Sequence, residues 1–350
     1  MNKKQWILVT GGAGYIGSHA CVELLSAGYG VIVIDNLSNS KVESLSRVQA
    51  ITEKSIEFFQ DDIRDKDALN LIFNTFEIYA VMHFAGLKSV GESCKQPLEY
   101  YQNNVHGTLV LVDVMRKFKV KNLIFSSSAT VYGEPNTEMY TEKLPVYGAT
   151  NPYGKSKAMI EEVLRDLAQA DELEGIKNNK WHIILLRYFN PAGAHESGII
   201  GEDPNGVPNN LIPYINQVAI GKLRRLQVYG NDYATIDGTG VRDYIHVVDL
   251  VKGHIQALKK IAELTGCNAY NLGTGRGYSV LEVISEFEKI TGKKIPYNIV
   301  ARRAGDIAAC YANVDLAYTE LNWKSEKTLI EMLRDGWVWQ ENNPNGYDEI

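Results

Sequence analysis

The chain has 350 residues, 45% hydrophobic and 22% charged, with a formal net charge of -6; that is the composition of a soluble globular protein with room for one large or two ordinary domains. The acidic balance and the lack of a Lys/Arg-rich run argue against a nucleic-acid partner, and the apolar runs are too short and interrupted for a membrane-spanning helix. Four scattered cysteines, Cys21, Cys94, Cys267 and Cys310, have neither disulfide nor metal spacing, and with no signal-peptide core at the N-terminus they predict reduced thiols and a cytoplasmic location.

Trp6-Ile7-Leu8-Val9-Thr10 is a short apolar run that reads as a buried parallel strand. It runs into Gly11-Gly12-Ala13-Gly14-Tyr15-Ile16-Gly17 and then a helical pattern from Ser18 to about Ala27. Glycines at Gly11, Gly14 and Gly17 suit a tight turn, close approach of backbone N–H groups to a pyrophosphate, and tight helix–strand packing. A lone glycine pattern would be an ordinary turn; between a strand and a helix it predicts dinucleotide binding. The next strand, Gly30 to Asp35, ends in an acid 21 residues after Gly14. A carboxylate there accepts from the ribose 2'-hydroxyl of NAD and repels the 2'-phosphate of NADP.

Strand and helix patterns then alternate. Ile56–Gln60 reads as a strand running to Asp61-Asp62-Ile63, where Asp62 is placed to face an adenine. Ile78–Phe84 is another, ending in Ala85-Gly86. His83 lies within it and reads as a packed residue. Pro97 opens a helical run to about Val120, and Leu123-Ile124-Phe125 leads into Ser126-Ser127-Ser128. Pro152 opens a helix to about Leu173 that carries Tyr153-Gly154-Lys155-Ser156-Lys157. Tyr153 and Lys157, four apart, share a face of that helix, so an ammonium there can favour phenolate and let the tyrosine remove a proton; Ser128 can add a hydrogen bond. On its own Tyr-x-x-x-Lys recurs by chance, and a solvated Tyr with a surface Lys would read the same. Ile183–Tyr188 is the next strand. Repeated βα units predict a doubly wound parallel Rossmann sheet, and Gly11, Asp35, Asp62, Phe84 and Ser126 all fall at strand carboxyl ends, where such sheets bind ligands. After Asn190 the stretches Pro191–Asn210 and Gly230–Arg242 have no clear period and predict a smaller α/β domain. The expected division is 1–189 for dinucleotide and 190–350 for substrate, with segments near 240–258 and 268–275 returning to the first domain.

Several segments together resemble the UDP-galactose (UDP-glucose) 4-epimerases of the extended short-chain dehydrogenase/reductase family. They are Thr10 to His19, His83-Phe84-Ala85-Gly86-Leu87-Lys88, Phe125 to Gly133, Leu186-Arg187-Tyr188-Phe189-Asn190-Pro191, Pro208-Asn209-Asn210-Leu211 and Gly240 to His246. The resemblance spans almost the whole chain, and the segments from Phe189 onward are the more specific to epimerases. It implies reversible C4 epimerisation of UDP-glucose and UDP-galactose through a transient 4-keto sugar with NAD held throughout. It implies catalytic roles for Tyr153, Lys157 and Ser128, and NAD contacts from Gly11, Gly14, Tyr15, Ile16, Gly17, Asp35, Asn36, Asn39, Ser40, Asp62, Ile63, Phe84, Ala85, Gly86, Lys88, Asn103, Ser126 and Tyr188, joined by Tyr153 and Lys157.

For the UDP-sugar it implies Lys88, Ser128, Tyr153, Phe189, Asn190, Asn209, Asn210, Leu211, Val228, Tyr229, Arg242, Arg303, Asp306 and Cys310, with Arg242 and Arg303 on the diphosphate. Tyr229 reads equally well as a packed aromatic. Affinity is expected to come from the UDP, since the hexose must turn over in place. Ala304 stands where the resemblance expects an acid. Cys310 stands where some relatives carry Tyr; its small volume predicts that UDP-GlcNAc and UDP-GalNAc are accepted too. A nucleotide-sugar 4,6-dehydratase is the near rival, but it needs Asp-Glu where this chain has Ala129 and Thr130, and neither can carry that proton transfer. A non-catalytic NAD-binding regulator would have no need of Ser128, Tyr153 and Lys157 together. A homodimer is expected through the helices beginning at Pro97 and Tyr153, with Leu109, Val112, Met115, Met159, Val163 and Leu167 as candidate apolar residues that would read the same if they only packed on the sheet.

Overall fold

The computed structural model describes residues 4–146, 148–303 and 306–348. The strands in chain order are β1 (Trp6–Thr10), β2 (Gly30–Ile34), β3 (Glu57–Phe59), β4 (Ile78–His83), β5 (Asn122–Ser128), β6 (Met139–Tyr140), β7 (His182–Tyr188), β8 (Asn190–Ala192), β9 (Leu226–Tyr229), β10 (Val241–His246), β11 (Gly266–Leu272), β12 (Gly277–Ser279), β13 (Tyr297–Val300) and β14 (Ala309–Ala312). The chain forms two compact units. One holds the residues up to Glu134, Lys143–Arg187 and Val251–Tyr270; the other holds Pro135–Glu142, Tyr188–Leu250 and the chain from Asn271 onward. The segment that returns to the first unit is therefore 251–270, while 240–250 and 271–275 stay in the second, and 135–142 crosses the other way.

In the first unit a seven-stranded sheet has the order β11-β7-β5-β4-β1-β2-β3, and β3, β2, β1, β4 and β5 run parallel. The order reverses at β1, which places a crevice beyond the carboxyl ends of β1 and β4. Ile7, Leu8, Val9 and Val31 to Ile34 are fully buried, as strands covered by helices on both faces require. Leu111, Met115, Ile160, Leu164 and Trp181 from the flanking segments join Leu8, Ile32, Val81, Leu123 and Phe125 in one apolar core.

Two departures from the expected elements bear on the site. A short helix, Val90–Lys95, precedes Pro97. The helical run from Pro97 is not uniform: an α-helical turn to Tyr100 widens into a π-helical turn, Tyr101–His106, before the α-helix Gly107–Lys117. In that wide turn the buried Asn104 side chain accepts from the Leu87 N–H at 2.8 Å, donates to the Leu87 carbonyl at 3.0 Å and donates to Ser156 Oγ at 3.1 Å. One amide thus ties the turn to the loop after β4 and to the helix Pro152–Leu173, which fits the habit of π-turns to occur at functional sites.

In the second unit β10 pairs antiparallel with β12 and parallel with β14 and β8, β6 pairs with β14, and β9 and β13 form a separate parallel pair. The stretch without a clear period, Pro191–Asn210, therefore begins in a strand, since β8 runs through Pro191 and Ala192. This unit has its own core, with Ile212, Ile215, Val228, Tyr244, Phe287, Met332, Leu333 and Trp337. Among the described residues no helix is long and apolar enough to cross a membrane.

Candidate active site

At the end of β1 the glycine turn is held by backbone: Gly11 N–H donates to the Ile34 carbonyl at 2.9 Å, and Gly14 N–H to the Gly11 carbonyl at 3.2 Å. Gly11 has φ +70°, and a side chain there would meet the Ala85 nitrogen at 2.7 Å. A side chain on Gly17 would run into the Gly11 carbonyl oxygen. Both places therefore need glycine. Gly14 is the N-cap of the helix Tyr15–Ser26, so the first-turn N–H groups, which have no partner within a helix, face the turn with the helix's positive end.

Asp35, 8% exposed, lies beside this turn. Its carboxylate accepts from Ala13 N–H at 3.0 Å, Leu37 N–H at 2.9 Å and Ser40 Oγ–H at 2.8 Å. A carboxylate has about four acceptor positions, so the side chain fastens the loop and keeps room for one more donor such as a ribose hydroxyl. Asp62 accepts from Asn36 Nδ2 at 2.8 Å and from Arg64 Nε and Nη2 at 2.8 and 2.7 Å; the hydrogen bonds from Arg64 hold its pKa down at about 2. Asn39 is exposed nearby, and Ile63 is buried in the apolar core, which leaves Ile63 only its backbone for a ligand. Phe84 N–H donates to the Thr10 carbonyl at 3.0 Å and Ala85 N–H to Thr10 Oγ1 at 3.2 Å. Asn103 donates to Asn104 Oδ1 at 3.0 Å. The glycine cradle, the uncapped helix start and the spare acceptor on Asp35 fit a dinucleotide carrying a 2'-hydroxyl.

The helix Pro152–Leu173 starts with Asn151 capping Gly154 N–H at 2.9 Å and Pro152 in its first turn. This fixes the half-buried Tyr153 at the end of β5, where its phenol hydrogen-bonds to the Ser128 side chain. Burial raises the Tyr153 pKa; the bond to Ser128 and the positive charge of Lys88 oppose the rise. Lys157 is 5% exposed, its ammonium donates to the Ser126 carbonyl at 2.7 Å, and it lies 4.7 Å from the Phe125 ring centroid. Burial pulls its pKa down to about 8, and the Glu161 charge pulls the other way. The i, i+4 spacing thus puts Lys157 in the same constellation, but its proton is anchored on the strand, and the charge acting on the phenol comes from Lys88, whose ammonium also lies 6.0 Å from the Tyr15 ring centroid.

Beneath lies a group that sequence reasoning missed. Glu161, 0% exposed, accepts from Ser127 Oγ at 2.5 Å, from Arg187 Nε and Nη2 at 2.9 and 2.6 Å, and from Arg165 at 3.0 Å. Arg187 Nη1 also donates to Tyr132 Oη at 2.9 Å. The signal available was Arg187 inside an apolar strand, since a buried charge needs a partner. His83 is packed as expected: its ring bonds Thr10 Oγ1 at 2.6 Å and Thr108 Oγ1 at 2.9 Å, and burial pushes its pKa down to about 3.

The second unit gathers the residues proposed for the UDP. Arg303 donates to Asp306 at 2.9 Å, Arg242 lies 3.7 Å from the same carboxylate, and the Arg303 guanidinium stands 4.6 Å from the Tyr229 ring centroid. One carboxylate thus orients two guanidinium forks. Ala304 lies outside the described residues. Cys310 pairs with Arg242 in the β14–β10 register and is 8% exposed; burial raises its thiol pKa to about 11, so it stays a small neutral group. Asn190 is in β8 and pairs with Tyr244. Phe189 is buried edge-on to Tyr140 at 6.1 Å, and Tyr188 is buried at the end of β7. Asn210 stands at the N-terminal end of the helix Leu211–Ala219, where its side chain donates to Glu202 at 3.2 Å instead of capping the helix, while Asn209 is exposed. Val228 lies inside the unit's core, so only its backbone is left for a ligand. Asp243, next to Arg242, holds the loop at 273–275 and the strand β14 by accepting from Thr274, Gly275 and Ala312. Among the described residues no cluster of three or more His, Cys, Asp or Glu could hold a metal ion.

The sequence profile of a family described as GDP-mannose 4,6 dehydratase matches residues 8–336. The chain is 59% identical to the UDP-glucose 4-epimerase of Bacillus subtilis (strain 168), covering 97% of this chain and 98% of that one. It is 58% identical to the human UDP-glucose 4-epimerase over 97% and 98% of the two chains. The chain belongs to the UDP-glucose 4-epimerase family, within the extended short-chain dehydrogenases/reductases. The dehydratase in the profile's name is a relative in that wider family; Ala129 and Thr130 leave this chain without the acid and base of a dehydration. A crystal structure of the Bifidobacterium longum UDP-glucose 4-epimerase in complex with NAD+ and UDP superposes with a TM-score of 0.93 at 54% identity, covering 98% of this chain and 100% of that chain.

Proposed function

We propose that this epimerase interconverts UDP-glucose and UDP-galactose by transient oxidation at C4, with NAD retained between turnovers. The observation that carries the reading is the Ser128–Tyr153 hydrogen bond at the end of β5, beside the buried Lys157. Bound NAD supplies the hydride acceptor and later the hydride donor. Tyr153 takes the proton of the sugar 4-hydroxyl and gives it back after the keto sugar has turned over. The phenol's pKa is raised by burial, so it holds that proton in the middle of the cycle, while Ser128 and Lys88 favour the phenolate needed at the start. Lys157, tied to the Ser126 carbonyl, has its ammonium held on the strand end that carries Ser128. Asp35, with one acceptor position to spare, fits NAD and disfavours NADP. Arg242 and Arg303, oriented by Asp306, would grip the diphosphate and leave the hexose free to rotate.

The small Cys310 opposite Arg242 supports acceptance of UDP-GlcNAc and UDP-GalNAc as well. A homodimer is supported by Leu109 at 42% and Met159 at 49% exposure on the two helices; Val112 and Met115 belong to the core instead. Four free cysteines suit the reducing cytoplasm. Purified protein tests the central reading. It is expected to release NAD on denaturation and to interconvert UDP-galactose and UDP-glucose without added cofactor. Tyr153→Phe should lower kcat by at least roughly 100-fold, the lower range for a positioned acid–base, while UDP still binds. Turnover near the wild-type rate in that variant would remove Tyr153 from the mechanism.

A further inference from the structure

Ser128 acts on Tyr153 through one hydroxyl, and the direction of that hydrogen bond matters. If Ser128 donates, phenolate is favoured; if it accepts, the neutral phenol is favoured. A serine hydroxyl has two acceptor lone pairs and a single proton. Thr130 N–H donates to Ser128 Oγ at 3.2 Å, and Thr130 Oγ1–H donates to the same atom at 2.9 Å. When the Thr130 hydroxyl is the donor in this pair, both lone pairs are occupied and Ser128 has only its proton left for the Tyr153 oxygen. Thr130 is also well held: it lies in the 3-10 turn Ala129–Tyr132, its carbonyl accepts from Gly133 N–H at 3.2 Å, and its backbone and Cβ pack close against Gly154, next to Tyr153.

We propose that Thr130 is a positioning residue that sets the polarity of the Ser128–Tyr153 hydrogen bond, so that Ser128 donates to the tyrosine oxygen. This rests on the reading of Tyr153 as the proton carrier, and it gives a role to a residue that touches Tyr153 only through Ser128. The charged side chain facing the phenol is Lys88, from the segment after β4. Lys157 lies on Tyr153's own helix with its ammonium on the Ser126 carbonyl. The 3-10 turn and the end of β5 face the phenol with uncharged groups. The polarity of the Ser128 bond is therefore the contribution that Thr130 controls.

The test uses full-length enzyme labelled with 13Cζ-tyrosine, the Tyr153 resonance being assigned by its loss in Tyr153→Phe. Thr130→Val keeps the shape and deletes the hydroxyl. It should move the Tyr153 titration upward by about one pH unit or more, the effect of weakening one charge-assisted hydrogen bond. The rising limb of kcat against pH for UDP-galactose should move with it, giving about tenfold less turnover at neutral pH. Thr130→Ser should restore both. In a Ser128→Ala background Thr130→Val should add less than a twofold effect, because the group it acts through is gone. A Tyr153 titration unmoved by Thr130→Val overturns the proposal, as does a full additive loss in the Ser128→Ala background or a Thr130→Ser variant as impaired as the valine. Should Thr130→Val not fold, Thr130→Ala is read by the same criteria. The titration is measured without substrate, so failure of the polarity proposal is distinguishable from failure of the epimerase reading, which an inactive wild type would reveal.

Discussion

Glu161→Gln is the sharpest test of what holds the proposed catalytic residues in register. The carboxylate is fully buried and accepts from Arg187, Arg165 and Ser127. The substitution keeps the volume and removes the charge, leaving the Arg187 guanidinium, 1% exposed, without its counter-charge. Breaking a buried ion pair from one side costs about 3–5 kcal/mol. At roughly 2–4 °C per kcal/mol for a domain of this size class, the apparent Tm should fall by roughly 6–20 °C in scanning calorimetry at one scan rate. Arg187→Met together with Glu161→Leu removes both charges and should cost clearly less than the two single losses added together. There is a catalytic signature as well. Lys157 is charged below its pKa, which burial has brought to about 8 against the pull of Glu161. Without that carboxylate the ammonium is lost at lower pH, so the alkaline limb of the activity profile should move down. A single variant within about 1 kcal/mol of wild type, or a double variant as unstable as the sum of the singles, would refute the reasoning.

Asp35→Ala removes the proposed ribose acceptor and the anchor of the Ala13 N–H; the preference for NAD over NADP should narrow, and extraction of bound NADP from wild-type protein would contradict the assignment. Cys310→Tyr fills the space beside Arg242. Overpacking costs ~1–3 kcal/mol and each 1.36 kcal/mol is about tenfold in rate, so turnover of UDP-GalNAc should drop by roughly 10- to 100-fold while UDP-galactose keeps most of its rate; equal loss on both would exclude Cys310 as the gate. His83 has a pKa near 3 in the folded protein, against 6.5 for the free side chain. Between those values the unfolded chain binds a proton that the folded one refuses, so stability falls as pH drops below about 6.5, at up to about 1.4 kcal/mol per pH unit. His83→Gln should lose less stability between pH 7 and pH 4.5 than wild type in denaturant titrations, and identical losses would remove His83 from the acid response.

The parallel sheet was legible because its strands are continuous apolar runs and its ligand end is marked by Gly11, Asp35 and Ser126. The π-turn at Tyr101–His106 was not, because one extra residue per turn scarcely alters apolar periodicity, and the bonds it serves run from Asn104 to Leu87 and Ser156, on other segments of the chain. The spacing of Tyr153 and Lys157 was read correctly as a shared face. Where the ammonium goes was not readable, since the Ser126 carbonyl that takes it belongs to another strand. The same holds for Lys88, whose effect on Tyr153 depends on how the loop after β4 returns. In the second unit the strands are two to six residues long, too short for a periodic signal, and Arg242, Asp306 and Arg303 were recognisable only through family resemblance.

The division of the chain between its two units has a consequence for biogenesis. On the ribosome the residues up to Arg187 emerge first, yet the sheet they build is finished by β11 (Gly266–Leu272), the strand at its outer edge. Residues 189–265, those up to Leu250 belonging to the other unit, are synthesised between β7 and that strand, and at about 5–20 residues per second this takes several seconds. During that interval β7 presents an open edge carrying Ile183, Ile184, Leu185 and Leu186, the kind of edge that recruits foreign strands. The nascent chain is therefore most exposed to mispairing and chaperone capture midway through translation, and slowing elongation between codons 190 and 265 should lower the yield of soluble enzyme more than slowing it elsewhere.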